Sequence, residues 1–195
     1  RKVHMEENMI ITISRQYGSG GSQVAKILAE RMGVWCYDRD ILTIAAERIG
    51  NEELTEDTIN DLNYKRNDVA SAGITGVMGM GNIPIYNQMF LEQAKIIRKL
   101  ANYGSAVFLG RCADYILKDI KNCTSVYLYA DREFRKNRVK EIYGSNAEIM
   151  DKEEKNRADY YNYYTGNRWG DINNYDFAIN TSKVSFEEAA DLILS

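Results

Sequence analysis

The chain has 195 residues, 45% of them apolar, with 25 basic against 28 acidic side chains and a net charge of -3. That apolar share fills one sizeable core, while the slightly acidic balance offers no global field for nucleic acid or an anionic membrane. No run approaches the roughly 18 apolar residues of a spanning helix, no apolar segment of signal type opens the sequence, and three cysteines without CxxC spacing make neither a disulfide framework nor a zinc site, so a reduced, cytoplasmic protein is expected.

Residues 1–8 carry charge without an apolar period and are expected to form a flexible tail before a single domain over residues 9–195. The lone histidine, His4, falls in that tail, which removes histidine triads and histidine metal sites. A β-branched run, Ile10 to Ile13, ends at the glycine cluster Gly18, Gly20 and Gly21, as a buried parallel strand does when it passes into a loop. Val24, Ala25, Ile27, Leu28 and Met32 then form a helical stripe with Gly33 as its stop. Residues 34–37 read as a second strand, followed by Asp38-Arg39-Asp40 and a helix carrying Ile41, Leu42, Ile44, Ala45 and Ile49. Residues 51–87 are polar and then rich in glycine and methionine; Met78 and Met80 suit an acceptor lid or a subunit interface, which leaves a homo-oligomer open. A helix over residues 88–102 leads to strand 106–109, which ends at Gly110-Arg111. Strand 125–129 ends at Ala130-Asp131-Arg132, ahead of a charged helix with Arg132, Arg135 and Arg138 at three-residue spacing. A segment dense in charge and tyrosine follows (151–169), then strand 177–180 and a last helix begun by Ser185 with Glu188 three residues on. Short apolar strands alternating with longer helices make an α/β fold with a largely parallel sheet, whose ligands bind at the strands' C-terminal ends.

The loop Gly18-Ser19-Gly20-Gly21-Ser22 stands where a strand becomes a helix, so its amides and the helix N-terminus suit an anion. The fingerprint GxGxxG fails because Gln23 fills its last glycine. The phosphate loop GxxxxGK[ST] fits at Gly20 and Ser22, with Arg15 in place of the first glycine and Gly21 in place of the lysine. Phosphate binding is favoured over the alternative, a tight turn without a ligand. In such a loop the hydroxyl of Ser22 is the one that meets Mg2+.

Three stretches carry a resemblance: Ile11-Thr12-Ile13-Ser14-Arg15-Gln16-Tyr17-Gly18-Ser19-Gly20-Gly21; Gly110-Arg111-Cys112-Ala113-Asp114-Tyr115-Ile116-Leu117; and Asn156-Arg157-Ala158-Asp159-Tyr160-Tyr161-Asn162-Tyr163-Tyr164-Thr165-Gly166. In this order the chain resembles the cytidylate kinase-like family, a nucleoside monophosphate kinase branch of the P-loop kinases. The resemblance implies a three-layer P-loop kinase-like fold with a five-stranded parallel sheet, a helical monophosphate-binding insertion at 51–88 and a lid at 131–169. It implies ATP as phosphate donor with Mg2+, and a small phosphorylated acceptor such as CMP or dCMP; nucleic acid and membrane are not expected partners. It places Gly18 to Ser22 on the donor phosphates, Asp38 on the nucleotide, Arg111 and Asp114 at the acceptor, Arg135 and Arg138 at the start of the lid and Arg157 at its end.

Phosphoryl transfer depends on alignment and on cations around the migrating group, so Arg15, Arg135, Arg138 and Arg157 are the catalytic candidates; either Arg15 reaching back over the loop or a lid arginine entering on closure would replace the lysine. Asp40 is expected to cap the helix that follows and Asp38 to face ligand. Two outcomes stay open, a competent kinase and a nucleotide-sensing domain with weak turnover. Two also remain for residues 131–169. Basic clusters at 132–138 and 152–157 favour an open lid by repulsion, or else Glu133, Asp151, Glu153 and Glu154 neutralise them in a fixed helical hairpin.

Overall fold

The computed structural model describes residues 8–49 and 85–195. His4, Met78 and Met80 lie outside the described residues, as do the expected tail but for Asn8 and the expected insertion but for 85–88. Strands β1 (Ile10–Arg15), β2 (Cys36–Tyr37), β3 (Ala106–Leu109), β4 (Cys123–Tyr129) and β5 (Phe177–Asn180) form one sheet in the order β2-β3-β1-β4-β5. Every pairing in it is parallel. The described helices are α1 (Gly21–Met32), α2 (Asp40–Ile49), α3 (Ile85–Tyr103), α4 (Ala113–Ile116), α5 (Arg132–Tyr143), α6 (Ala147–Thr165) and α7 (Phe186–Leu194), with a 3-10 turn at Ile172–Asn174.

Side chains alternate across the pleat and divide the interior into two cores. Ile11 and Ile13 of β1, Val107 and Leu109 of β3, and Val126 and Leu128 of β4 pack against Val24 and Leu28 of α1 and Ala189 and Ile193 of α7. On the other face, Ile10 and Phe108 meet Ile41 of α2, Ile97 of α3, Leu117, and Tyr160 and Tyr161 of α6. Helices thus cover both faces, giving three layers. Two helix ends follow their sequence signals. Gly33 closes α1 in the left-handed region, its amide donating to Ala29 and Glu30. Ser185 and Glu188 form the expected capping box of α7.

Several elements differ from the expectation, α3 beginning at Ile85 and β4 at Cys123, a few residues early. β1 runs on to Arg15, because Ser14 and Arg15 still pair with Tyr127 and Leu128 of β4. β2 keeps only Cys36 and Tyr37, and the preceding Trp35 is exposed. The short α4 was not expected; it is one turn, entered through left-handed Cys112.

The segment 131–169 is a helical hairpin, α5 and α6, joined through left-handed Gly144 and opened again by Asn146, whose side chain accepts from the Ile149 amide. The repulsion expected between its basic clusters is met by acids. Arg132 makes two hydrogen bonds to Asp151, at 2.6 and 2.7 Å, Lys136 pairs with Glu133 and Lys155 with Asp159. Glu154 accepts from the Tyr17 amide and from the Trp169 indole, both at 2.6 Å, so the hairpin is also tied to the glycine loop.

Candidate functional site

The C-terminal ends of β1 and β3 and the N-terminus of α1 meet at one place. Between β1 and α1 the chain turns back through Gly18 (φ 83°) and Gly20 (φ 86°), a conformation that L-residues disfavour. Space demands glycine as well: a Cβ on Gly18 would lie 3.0 Å from the Arg135 carbonyl oxygen, and one on Gly20 would enter the Phe186 ring. The loop is held from below. Gln16 donates its amide to Leu128 and accepts from the Ala130 amide, and Thr181 donates its hydroxyl to the Ser19 carbonyl at 2.6 Å. The Gly20 cap has no side chain to bond the first amides of α1, and no acid stands in that first turn. That positive helix end is left for an anion.

A cavity opens over this loop, walled by Arg15, Gly18, Gly20, Gly21, Ser22, Arg138 and Arg157, with Gln16, Tyr17, Gln23 and Tyr143 completing it. A second cavity adjoins it at the end of β3, walled by Ser14, Gly110, Arg111, Cys112, Tyr160, Tyr161 and Trp169, and again by Arg15 and Arg157. Among the described residues, neither wall contains an aspartate or glutamate. In a chain of net charge -3, the described walls of these two spaces hold four arginines and no carboxylate.

Each arginine is aimed by its surroundings. Arg157, on α6, donates Nη1 to the Arg15 carbonyl at 3.0 Å and lies 5.1 Å over the Tyr17 ring. Arg138, on α5, lies 4.7 Å over Phe186, the ring that packs beneath Gly20. Arg111 is buried, 5.7 Å over the Tyr160 ring and 3.5 Å from the Gln93 amide oxygen. It sits in three successive left-handed residues, Gly110 (φ 68°), Arg111 (φ 59°) and Cys112 (φ 55°). Left-handed backbone in residues bearing Cβ atoms stores strain, which clusters at ligand sites.

Other expected residues are placed differently. Arg135 is buried, donates Nε to the Ala130 carbonyl at 3.0 Å and belongs to neither wall; its backbone instead shapes the loop under Gly18. Asp114 is buried behind the second cavity, accepting from Tyr161 at 2.7 Å and from Ser14 at 3.5 Å, two residues that do line it. Burial pushes its carboxyl above the usual carboxylate range, against the pull of those hydrogen bonds. Asp38 is half-buried beside Cys36, whose thiol feels both Asp38 and the Arg15 charge, so Asp38 shares this end of the sheet without reaching either wall. Asp40 accepts from the Asp38 amide rather than from an amide of α2, so it steadies the turn and does not cap the helix. All three cysteines are free; burial pushes Cys36 up to about 11 and Cys123 up to about 12, and raises Cys112 further. They are structural, not nucleophilic, thiols at neutral pH.

Tyr17, Tyr143, Trp169 and Glu154 were not singled out as site residues. For Trp169 the aromatic density of 151–169 was the signal, and it could not separate rings of the core from rings of the wall; Tyr17 stood beside the glycines of the loop, and Tyr143 carried no signal. Among the described residues, no helix is long and apolar enough to cross a membrane.

Comparison with known proteins agrees with this architecture. The model of the cytidylate kinase-like family matches residues 10–183. A crystal structure of an uncharacterized protein from Eubacterium ventriosum is similar at 30% identity and TM-score 0.70, covering 95% of this chain and 96% of that one. A gluconokinase from Sinorhizobium meliloti (14% identity, TM-score 0.56, 97% and 91% covered) and a shikimate kinase from Bacteroides thetaiotaomicron (13%, TM-score 0.54, 95% and 96%) share the fold. No curated protein matches the chain.

Proposed function

The chain belongs to the cytidylate kinase-like family, and from that premise we propose that it binds ATP over the glycine loop and transfers the terminal phosphoryl group to a small acceptor held at the end of β3. The observation that supports this reading is the pair of small adjoining cavities that share Arg15 and Arg157 and whose described walls hold no carboxylate. A migrating phosphoryl group must cross from donor to acceptor under continuous positive charge, and two shared guanidinium groups provide it at the crossing. The triphosphate would lie against Gly18 to Ser22 with Arg138 alongside, and the acceptor would meet Arg111 and the rings of Tyr160 and Tyr161. The groove of Phe134, Val184 and Phe186 adjoins the loop through Phe186 and offers an apolar seat for the donor's base.

Among the described residues there is no cluster of three or more His, Cys, Asp or Glu able to hold a metal unaided. Mg2+ bound by phosphates and water needs no such cage, and the hydroxyl of Ser22, exposed at the head of α1, would be the group that meets it. When bound, it would neutralise phosphate oxygens; the arginines orient and stabilise the transferring group, and the α5–α6 hairpin serves as the lid that excludes water.

CMP or dCMP is the leading acceptor by family. The second acceptor class is a small hydroxy acid, favoured by the gluconokinase and the shikimate kinase among the structural neighbours. A third outcome, a nucleotide sensor with weak turnover, is favoured by Gly21 at the lysine position. A coupled ADP-release assay with Mg2+ and ATP against CMP, dCMP, the other monophosphates, gluconate and shikimate separates them. ADP release dependent on one acceptor supports the kinase; ATP binding without turnover on any acceptor supports the sensor; no ATP binding up to millimolar concentration overturns the proposal.

A further inference from the structure

The phosphate-loop pattern carries a glycine at its first position and a lysine after its second glycine, and this chain has the two residue types reversed, with Arg15 at the former and Gly21 at the latter. We propose that this is a reciprocal exchange: Arg15 supplies from the strand the phosphate-binding cation that the lysine supplies from the helix, and Gly21 is glycine because the Arg15 side chain occupies the space of the lysine's stem. The inference deepens the proposed function and rests on it.

The packing is direct. A Cβ added at Gly21 would lie 2.7 Å from Arg15 Cβ and 3.2 Å from its Cδ, and closer still to its Cγ. Gly21 has no left-handed φ to explain its identity, since it is the first residue of α1. The volume is therefore the reason for glycine here. Beyond that crossing, the guanidinium lies over Gly110, whose hypothetical Cβ would stand 3.4 Å from Arg15 Cζ and against Nη1. Two glycines from distant parts of the chain thus form a channel for one arginine, which is 6% exposed and walls both cavities. A buried cation guided to the boundary between two spaces whose described walls are lined by arginines is suited to an anion that spans them, and a guanidinium offers the fork that phosphate oxygens accept. Its backbone is fixed independently, because the Arg15 carbonyl accepts from Arg157.

The test uses the full chain, calorimetry with ATP and with inorganic tripolyphosphate, and thermal unfolding of each variant. Arg15→Met keeps the stem that packs on Gly21 and removes the charge; it is expected to fold and to lose about ten- to a hundredfold in affinity for both ligands, the effect of losing charge-assisted hydrogen bonds. Gly21→Lys alone is expected to unfold at lower temperature and to bind poorly. The double variant Arg15→Gly with Gly21→Lys restores the usual order, and is expected to recover both the unfolding temperature and binding to within about tenfold of the parent. Arg15→Met that folds and binds both ligands like the parent overturns the inference, as does a folded double variant that binds no better than Arg15→Met. Should Arg15→Met fail to fold, the double variant alone decides. A parent chain that binds neither ligand overturns the proposed function itself, and the exchange with it.

Discussion

Gly20→Ala measures how tightly the phosphate loop is built. Its backbone is left-handed (φ 86°, ψ 19°), which costs an alanine roughly 1–2 kcal/mol. The new methyl would also lie 3.0 Å from Phe186 Cε2 and nearer to Cζ and Cε1, so the ring must leave its seat beneath the loop and its stacking with Arg138. Overpacking of this kind adds about 1–3 kcal/mol. The expected loss is about 2–5 kcal/mol from a domain stability on the order of 5–15 kcal/mol. Urea unfolding should show a lowered midpoint with an unchanged slope. Phe186→Ala removes the obstacle but not the backbone strain, so the double variant should be more stable than the sum of the single losses predicts, with a coupling of about 1 kcal/mol or more. Strict additivity, or a Gly20→Ala chain within about 0.5 kcal/mol of the parent, would refute the steric account of this loop.

Arg157→Ala should lower kcat/KM on the accepted substrate by about a thousandfold, in the range of transition-state arginines, while the loss of its bond to the Arg15 carbonyl lowers the unfolding temperature by only about 2–4 °C; parallel losses in both would make Arg157 a structural residue. Asp114→Asn tests the buried carboxyl. Its raised folded value means that its stabilising contribution is complete below the ordinary 3.8 and is lost as pH rises through the folded value, so the stability of the parent relative to the asparagine variant should fall steadily with pH in urea titrations, and a pH-independent difference would contradict the burial argument. Ser185→Ala breaks the α7 capping box and should cost about 1 kcal/mol in the same assay, with no change in ATP affinity if the cap serves the fold alone.

The layout of strands was legible because they are short apolar runs, followed by the glycine loop after β1, by Asp38-Arg39-Asp40 after β2 and by Gly110 after β3, and the alternation of strand and helix pointed to the parallel sheet. The glycine loop and the missing lysine were legible too, as pattern. What could not be read was which arginines converge. Arg135 and Arg138 share one helix and one spacing, yet the first is consumed by the Ala130 carbonyl while the second reaches the loop. That choice depends on how α5 rotates against β4, which local periodicity leaves open. Likewise Arg157 meets Arg15 across 142 positions, and the Arg15 channel exists only once β3 brings Gly110 alongside the loop. Charge counts could not decide whether the hairpin repels itself; that took the pairing of Arg132 with Asp151.

The left-handed run at Gly110, Arg111 and Cys112 sets backbone against side chain at position 111. A glycine there would release about 1–2 kcal/mol of backbone strain, yet it would also remove a buried side chain with its contact on Tyr160 and its bond to Gln93, a loss of the same size or larger. The strain at this corner is therefore held in place by the packing of the very side chain that bears it.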